Sequence, residues 1–493
     1  MIGKNSMFSI PPEVSRVTES LEKGGFEAYI IGGCVRDLIV GKKPKDWDIT
    51  TNATPEQIMA IFKDSFYENN YGTVGVVNRE CEDKTLEVIE ITPYRLEAAY
   101  SDSRRPDSVT FSKNVSDDLK RRDFTINAIA YSSSKNDIID LHGGQKDIEK
   151  GIIRTVGNPD ERFSEDALRM LRAIRLHAEL GFTLNKETED AIQKNANLLG
   201  KISKERIRDE FIRIILSNNP QEAIILSHKL GVFSFIFPEL QKGIGVEQNQ
   251  AHAYDVWTHN LKTLSHSVKK GWDLSIRLAS LLHDIAKPHT REWSEEKKDW
   301  TFHGHDVVGA KVAQKALKEL HFSKEITDKV VNLVRWHMFF SDTEQITLSA
   351  VRRLISNVGK ENVWDLMNLR VCDRIGTGRP KENPYRLRKY KAMVEEAMAD
   401  PISVGMLEID GTVLIKELGL APGPKIGNIL HALLEEVFED PKLNTKEILL
   451  KKAAQLINIP EEELKKLGEK GKEEKDKKEK EKVTKIRQKY WVE

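Results

Sequence analysis

The apolar positions of this chain change their period near residue 150. Before that point, short runs rich in Val, Ile and Thr recur: FEAYIIGG, DWDITT, VGVVN, LEVIEIT and SVTF. Runs of this length between turn residues predict strands, while the spacing in VSRVTESLEKGG predicts a helix closing on glycines. The combination predicts an α+β domain around one mixed sheet over residues 1–150. From Gly151 to about Asn458 the spacing is helical, so an all-α region should follow. In SEDALRMLRAIRLHAEL, Leu168, Leu171 and Ile174 form one stripe, and Ser164 is placed as an N-cap. Punctuation at FPEL and GLAPGP divides the helices into a neck (151–220), a body (221–395) and a tail (396–460). A Lys/Glu-rich terminus, 461–493, reads as solvated helix or disorder.

Composition narrows the class. With 493 residues, 39% of them hydrophobic, the chain can bury several cores. Lys+Arg 77 balances Asp+Glu 77, so a nucleic-acid partner must be met by local clusters of bases. Cys34, Cys81 and Cys372 form no CxxC pair, which suits a reducing compartment. MIGKNSMFSIPPEV has no basic segment leading into an apolar run, and no stretch approaches a membrane helix. A cytoplasmic location is expected.

The strongest local chemistry lies in IIGGCVRDLIVGKKPKDWDIT. Gly32 and Gly33 end a strand and let backbone N–H groups approach a triphosphate, with Arg36 near the positive end of the following helix. Asp46 and Asp48 flank Trp47, and on a strand they would share a face. Two adjacent carboxylates repel each other unless cations separate them. Nucleotidyl transfer uses that arrangement to hold two Mg2+ ions about 4 Å apart. Glu87 and Glu90 are candidates for a third carboxylate; they point to opposite faces, and Glu90 is preferred.

GGCVRD with DWDIT resembles the head of class II CCA-adding enzymes and bacterial poly(A) polymerases, within the polymerase-β-like nucleotidyltransferases. RRDFTINAIAY resembles the second head motif of that family, which implies that Arg122 contacts the incoming nucleotide. In EDALR, Asp166 and Arg169 are three residues apart, the spacing of neighbours on a helix surface. An ionised Asp only accepts hydrogen bonds and an Arg only donates them. That edge suits cytosine and adenine, which present an amino donor beside a ring-nitrogen acceptor, and leaves uracil and guanine unpaired. EDALR resembles the family's EDxxR template motif, which implies that Asp166 and Arg169 select CTP and then ATP. Arg172 and Arg175 would contact the nucleotide or its phosphates. A charged loop carrying Glu97, Tyr100, Asp102, Arg104 and Arg105 resembles the segment associated with the switch from C to A addition.

Further along come His259, His283 with Asp284, His305, His337 and Asp373. Six imidazole and carboxylate ligands suit a divalent transition metal or Mg2+. Their order resembles an HD phosphohydrolase domain over about 250–380, serving either as a hydrolase or as an RNA-binding scaffold. GLAPGPKIG is either a backbone site for RNA phosphates or a linker between helices. The resemblance implies Mg2+-dependent addition of C, C and A to the tRNA 3′ acceptor end from CTP and ATP. Poly(A) or CC-only addition, and an HD phosphohydrolase with an RNA-binding head, are the competing readings.

Overall fold

A computed structural model describes residues 7–68, 72–79, 81–97, 109–250, 252–339, 346–398 and 404–492. The chain packs as two compact units, residues 1–335 with 372–379, and residues 336–371 with 380–493.

The first unit opens with α1 (Pro12–Lys23), where Pro12 starts the helix and Val14, Val17 and Leu21 face inward. Then come β1 (Ala28–Ile31), α2 (Gly33–Ile39), β2 (Asp48–Thr51), α3 (Pro55–Ile61), β3 (Ser65–Tyr67), β4 (Val74–Val77) and β5 (Val88–Pro93). Next are β6 (Arg95–Glu97), β7 (Val109–Phe111), α4 (Val115–Lys120), β8 (Ala130–Ser132), β9 (Asp137–Ile139) and α5 (Gly144–Lys150). The mixed sheet runs β3-β4-β5-β2-β1-β8-β9. Its one parallel pair, β2 with β5, sets Asp48 opposite Glu90. Ile30, Ile31, Ile49, Ile89 and Ile91 are fully buried in it. The SVTF strand is real but pairs with β6 in a separate ladder.

The helical part of this unit holds β10 (Ile152–Ile153), α6 (Pro159–Glu165), α7 (Leu168–Leu180), β11 (Thr183–Leu184), α8 (Lys186–Asn195), α9 (Lys204–Leu216), α10 (Pro220–Lys229) and α11 (Pro238–Gln241). It continues through α12 (Val256–Lys269), α13 (Leu274–Leu282), the hairpin β12 (Glu292–Ser294) and β13 (Asp299–Thr301), α14 (His305–Glu319) and α15 (Lys324–Trp336). Two expectations need correction. Only Asp48 lies on β2, since Asp46 sits in the bend before it, so strand alternation does not place the pair. The helix expected from Ser164 is broken at Asp166, whose backbone is extended (φ −141, ψ 103). Ser164 caps nothing; its hydroxyl donates to the Asp160 carbonyl inside α6. Asn158 caps α6, and the Asp166 carboxylate takes the Leu168 N–H at the start of α7.

In the second unit, α16 (Leu348–Val358), most of α17 (Val363–Gly376) and α18 (Tyr385–Met398) lead to α19 (Gly411–Leu418), α20 (Pro424–Glu439), α21 (Lys446–Leu456) and α22 (Glu461–Lys489). Leu414, Ile429, Leu433, Leu449 and Leu464 lie in one core. GLAPGP links α19 to α20. The Lys/Glu run forms the helix α22, packed on α20 and α18. Gly468 and Gly471 lie against the backbone of α20, beside the buried Leu464. A Cβ on Gly468 would stand 2.8 Å from Asn428 Cα, and one on Gly471 would stand 2.3 Å from the His431 carbonyl oxygen. Among the described residues no helix is long and apolar enough to cross a membrane.

Candidate active site and metal centre

β1 delivers the chain to Gly32, which has φ 86 and donates its N–H to the Ile129 carbonyl. The absent Cβ matters: it would stand 2.8 Å from Arg122 Nη1 and 3.5 Å from Asp48 Oδ2. Gly32 therefore leaves room at the strand end for both the Arg122 guanidinium and the Asp48 carboxylate. Arg122 is steered there by Asp118, which is buried, accepts from Arg122 Nη2 at 3.2 Å, and also bonds Arg121. Burial would raise Asp118, but the two guanidinium groups hold it below the usual carboxylate range. Arg36, buried on α2, donates to Asn127 Oδ1 (2.7 Å) and Asp37 Oδ1 (2.7 Å). These bonds lock the glycine turn onto the segment after Arg122.

Asp46, Asp48, Glu68 and Glu90 lie near enough to repel one another. Asp48 is pushed up to about 6, first by burial, against Arg122, and with Asp46 and Glu68 adding repulsion. Glu90 is pushed up to about 7 by burial and by Asp48, Glu68 and Asp46. Clustered carboxylates are the donor set that hard divalent cations take. Glu68 is the member that sequence reasoning missed; it follows a three-residue strand that showed no clear pattern.

The neck presents its basic row to the head motif. Arg172 Nη2 meets Asp123 Oδ2 at 3.0 Å, and Asp123 also accepts from Asn127. Arg169 is buried, pairs with Glu165, and donates to the Arg162 and Arg121 carbonyls at 3.1 and 3.4 Å. Asp166 pairs with Arg206 of α9 at 2.8 Å rather than with Arg169. Arg175 is turned inward onto Glu210 (2.9 Å), away from the row the spacing suggested. Glu97 contributes only backbone to the description, and Tyr100, Asp102, Arg104 and Arg105 lie outside the described residues.

A second cluster forms where α12, α13, α14 and the end of α17 meet. His259, His283 and Asp373 offer ligand atoms within 4.8 Å of one another. His259 Nε2 stands 3.0 Å from His283 Nε2, 3.1 Å from Asp284 Oδ2 and 3.4 Å from Asp373 Oδ1. His305 Nε2 is 3.3 Å from Asp284 Oδ1. The other ring nitrogens of His283 and His305 face the Ser280 and Phe302 carbonyls at 3.1 and 2.6 Å. That orients both Nε2 atoms toward a shared centre, as in metal-binding histidines. His337 is buried just beyond α15 and belongs to the second unit. Burial would lower His283, yet Asp284 and Asp373 lift it to about 9; His283 and Lys287 hold Asp284 well below its usual range, against burial. Lys287 escaped the sequence reading; its Nζ lies 2.6 Å from both Asp284 Oδ2 and Gln248 Oε1.

Comparison with known proteins matches the domains that carry both clusters. Residues 28–154 match the Poly A polymerase head domain, 181–244 the probable RNA and SrmB-binding site of polymerase A, and 256–369 the HD domain. The CCA-adding enzyme of Lactobacillus johnsonii is 49% identical over 86% of this chain and 92% of its own length. That of Lactobacillus delbrueckii subsp. bulgaricus is 33% identical over 85% and 92%. The Bacillus stearothermophilus CCA-adding enzyme, solved in complex with CTP, superposes with a TM-score of 0.59 at 27% identity, covering 90% of this chain and 98% of that one. The Thermotoga maritima enzyme complexed with tRNA shares the fold, with a TM-score of 0.51 at 19% identity over 91% and 96% of the two chains. With its head motifs, neck and HD cluster in this order, the chain belongs to the CCA-adding enzymes of the class II nucleotidyltransferases.

Proposed function

We propose that this protein adds C, C and A to the 3′ end of tRNA from CTP and ATP, without a nucleic-acid template. The observation that carries the proposal is the acid group of Asp46, Asp48 and Glu90 beside Arg122, packed against a glycine turn. Mg2+ held by Asp46 and Asp48, with Glu90 beside them, would supply the charge that stabilises the pyrophosphate as it leaves. The tRNA 3′ oxygen attacks the α-phosphorus, the bond to pyrophosphate breaks, and the hydroxyl proton passes to solvent. Gly33 and the turn leave room for the triphosphate, and Arg122 neutralises it. Arg36 acts through the turn that it locks. Arg172 borders the base pocket, and Arg175 braces α7 through Glu210.

Asp166 and Arg169 would read the base, Arg169 donating to N3 of cytosine or N1 of adenine and Asp166 accepting from the amino group. Their charged partners, Arg206 and Glu165, hold the two side chains apart at the helix break. The loop with Arg104 and Arg105 would serve the switch to A addition. The division into head (1–150), neck (151–220), body (221–395), tail (396–460) and charged terminus (461–493) belongs to this reading.

The deciding experiment supplies tRNA lacking CCA with each labelled nucleotide singly and with CTP and ATP together. Addition of two C residues and then one A supports the proposal. A run of A residues would make the protein a poly(A) polymerase, and a stop after C would make it a CC-adding enzyme. The buried His259, His283, Asp284, His305 and Asp373 favour a second activity, metal-dependent hydrolysis of phosphate esters. Release of phosphate from p-nitrophenyl phosphate with Mn2+, Ni2+ or Mg2+ tests it.

A further inference from the structure

The β12–β13 hairpin joins two segments of the HD centre. It begins three residues after His289, in the turn that follows Lys287, and ends four residues before His305. Two tryptophans face each other across it, Trp293 opposite Trp300, with ring centroids 5.2 Å apart at 77°. Trp293 is 48% exposed, a large indole area for a surface hairpin. Arg291 lies over Trp300, its guanidinium 3.6 Å from the ring centre. Its Nε is buried without a hydrogen-bond partner, and its nearest acid, Glu247, is 3.8 Å away. Alternation puts Arg291, Trp293, Trp300 and Phe302 on one face.

The inner end of that face reaches the metal centre. Phe302 is buried under Lys287 Nζ, which is 5.4 Å from its ring centre, and its carbonyl bonds His305. Phe302 stands two positions beyond Trp300, about 7 Å along an extended chain. The hairpin is held in place, since Asp299 accepts the Gln250 N–H at 3.1 Å. An aromatic face with a stacked, under-bonded cation, next to a centre that suits phosphate chemistry, fits a ligand with a flat base at one end and a phosphate at the other.

We infer that Trp293 and Trp300, with Arg291, form a base-stacking ledge that selects nucleobase-bearing phosphate esters for the HD centre. The inference rests on the metal-centre reading above. The ligand's base stacks on the exposed indole while Arg291 meets its sugar-phosphate charge. A free nucleotide and the 3′ end of a single-stranded RNA share that chemistry.

Photo-crosslinking with 8-azidoadenosine monophosphate on the full-length, Mn2+-treated chain, with peptide mapping, reads the ledge separately from the head. The expected result is labelling within residues 292–301. AMP should compete at least about tenfold better than ribose 5-phosphate, the range for one stacked base. Trp293→Ala should weaken hairpin labelling about tenfold, Trp293→Phe should retain it, and addition of CCA to tRNA should be unchanged in both. A CCA trinucleotide competing better than AMP would identify an RNA end as the ligand; the reverse would identify a mononucleotide. Labelling confined to the head, equal competition by ribose 5-phosphate, or indifference to Trp293→Ala would each overturn the ledge. Mn2+ retention by the native chain, lost in His283→Ala, tests the centre itself. A chain that labels on the hairpin but holds no Mn2+ sinks the centre alone.

Discussion

At the scale of single residues, the head holds acids that repel one another, and the proposed function needs a cation to relieve them. Asp46→Ala and Asp48→Ala should each reduce nucleotide addition by several orders of magnitude while tRNA binding by gel shift stays near normal. Substantial turnover in either variant would take the pair out of the chemistry. The raised acids also set a pH dependence. Asp48 and Glu90 gain protons on folding, so without divalent cation their effect is to lower native stability as pH climbs from the ordinary carboxylate range through 6 and 7. Mg2+ replaces those protons, and below these values its affinity should fall roughly tenfold per pH unit for each proton displaced. The increase in melting temperature produced by Mg2+ should therefore be small at pH 5 and large at pH 8, and Glu90→Gln should flatten the difference. A Mg2+ shift independent of pH would mean that the cation binds elsewhere.

At the scale of elements, the break between α6 and α7 defines the proposed base reader. Replacing Asp166 or Arg169 with Ala removes a charge-assisted contact worth about 1.5–3 kcal/mol, or one to two decades of discrimination. Single-nucleotide incorporation should show CTP and ATP losing ground to UTP and GTP. Arg206→Met should produce the same narrowing in weaker form, because it frees the Asp166 carboxylate without deleting it. Unchanged preference in the Asp166 and Arg169 variants would return both residues to a structural role. The EDALR motif was legible in the sequence, but the break was not, since Glu, Ala, Leu and Arg are all good helix formers. Arg206 was invisible as the partner of Asp166 because that pairing depends on the break, whereas Glu165 and Arg169 stand at the ordinary i,i+4 helical spacing. In the head, the strand runs with continuous Val and Ile were readable. β3, β8 and β9 were passed over, being only three residues long and set beside motifs that drew attention for their charges. The terminal helix misled through composition, because Lys and Glu mask two glycines spaced one turn apart. Gly471→Leu would drive a side chain into the backbone of α20, and overpacking of this kind costs about 1–3 kcal/mol. Faster tryptic cleavage within 461–489, with tRNA addition kinetics unaltered, is the expected readout.

At the scale of the whole molecule, the head acids and the HD cluster share no residue, and each is proposed to serve its own chemistry. The HD ligands were the most readable feature of the sequence, because six residues of metal-binding type in order say more than any periodicity. What the sequence withheld was their setting: Lys287 already inside the cluster, and a tryptophan hairpin at its edge. His283→Ala combined with Asp284→Ala should abolish metal-dependent release of phosphate from p-nitrophenyl phosphate and leave CCA addition within a few-fold of normal. Loss of both activities in a variant with native circular dichroism would make the centre a support for the head instead.

The parallel pairing of Asp48 with Glu90 has a consequence for error. The neighbours of Glu90 along the strand are Ile89 and Ile91, both fully buried. A slip of one residue would bring an isoleucine opposite Asp48 and expose the other face of the strand to solvent. The same shift would thus cost the head its hydrophobic packing and its third acid together. A head folded in the wrong register is consequently inert as well as unstable, and tRNA is spared faulty ends from a half-assembled enzyme.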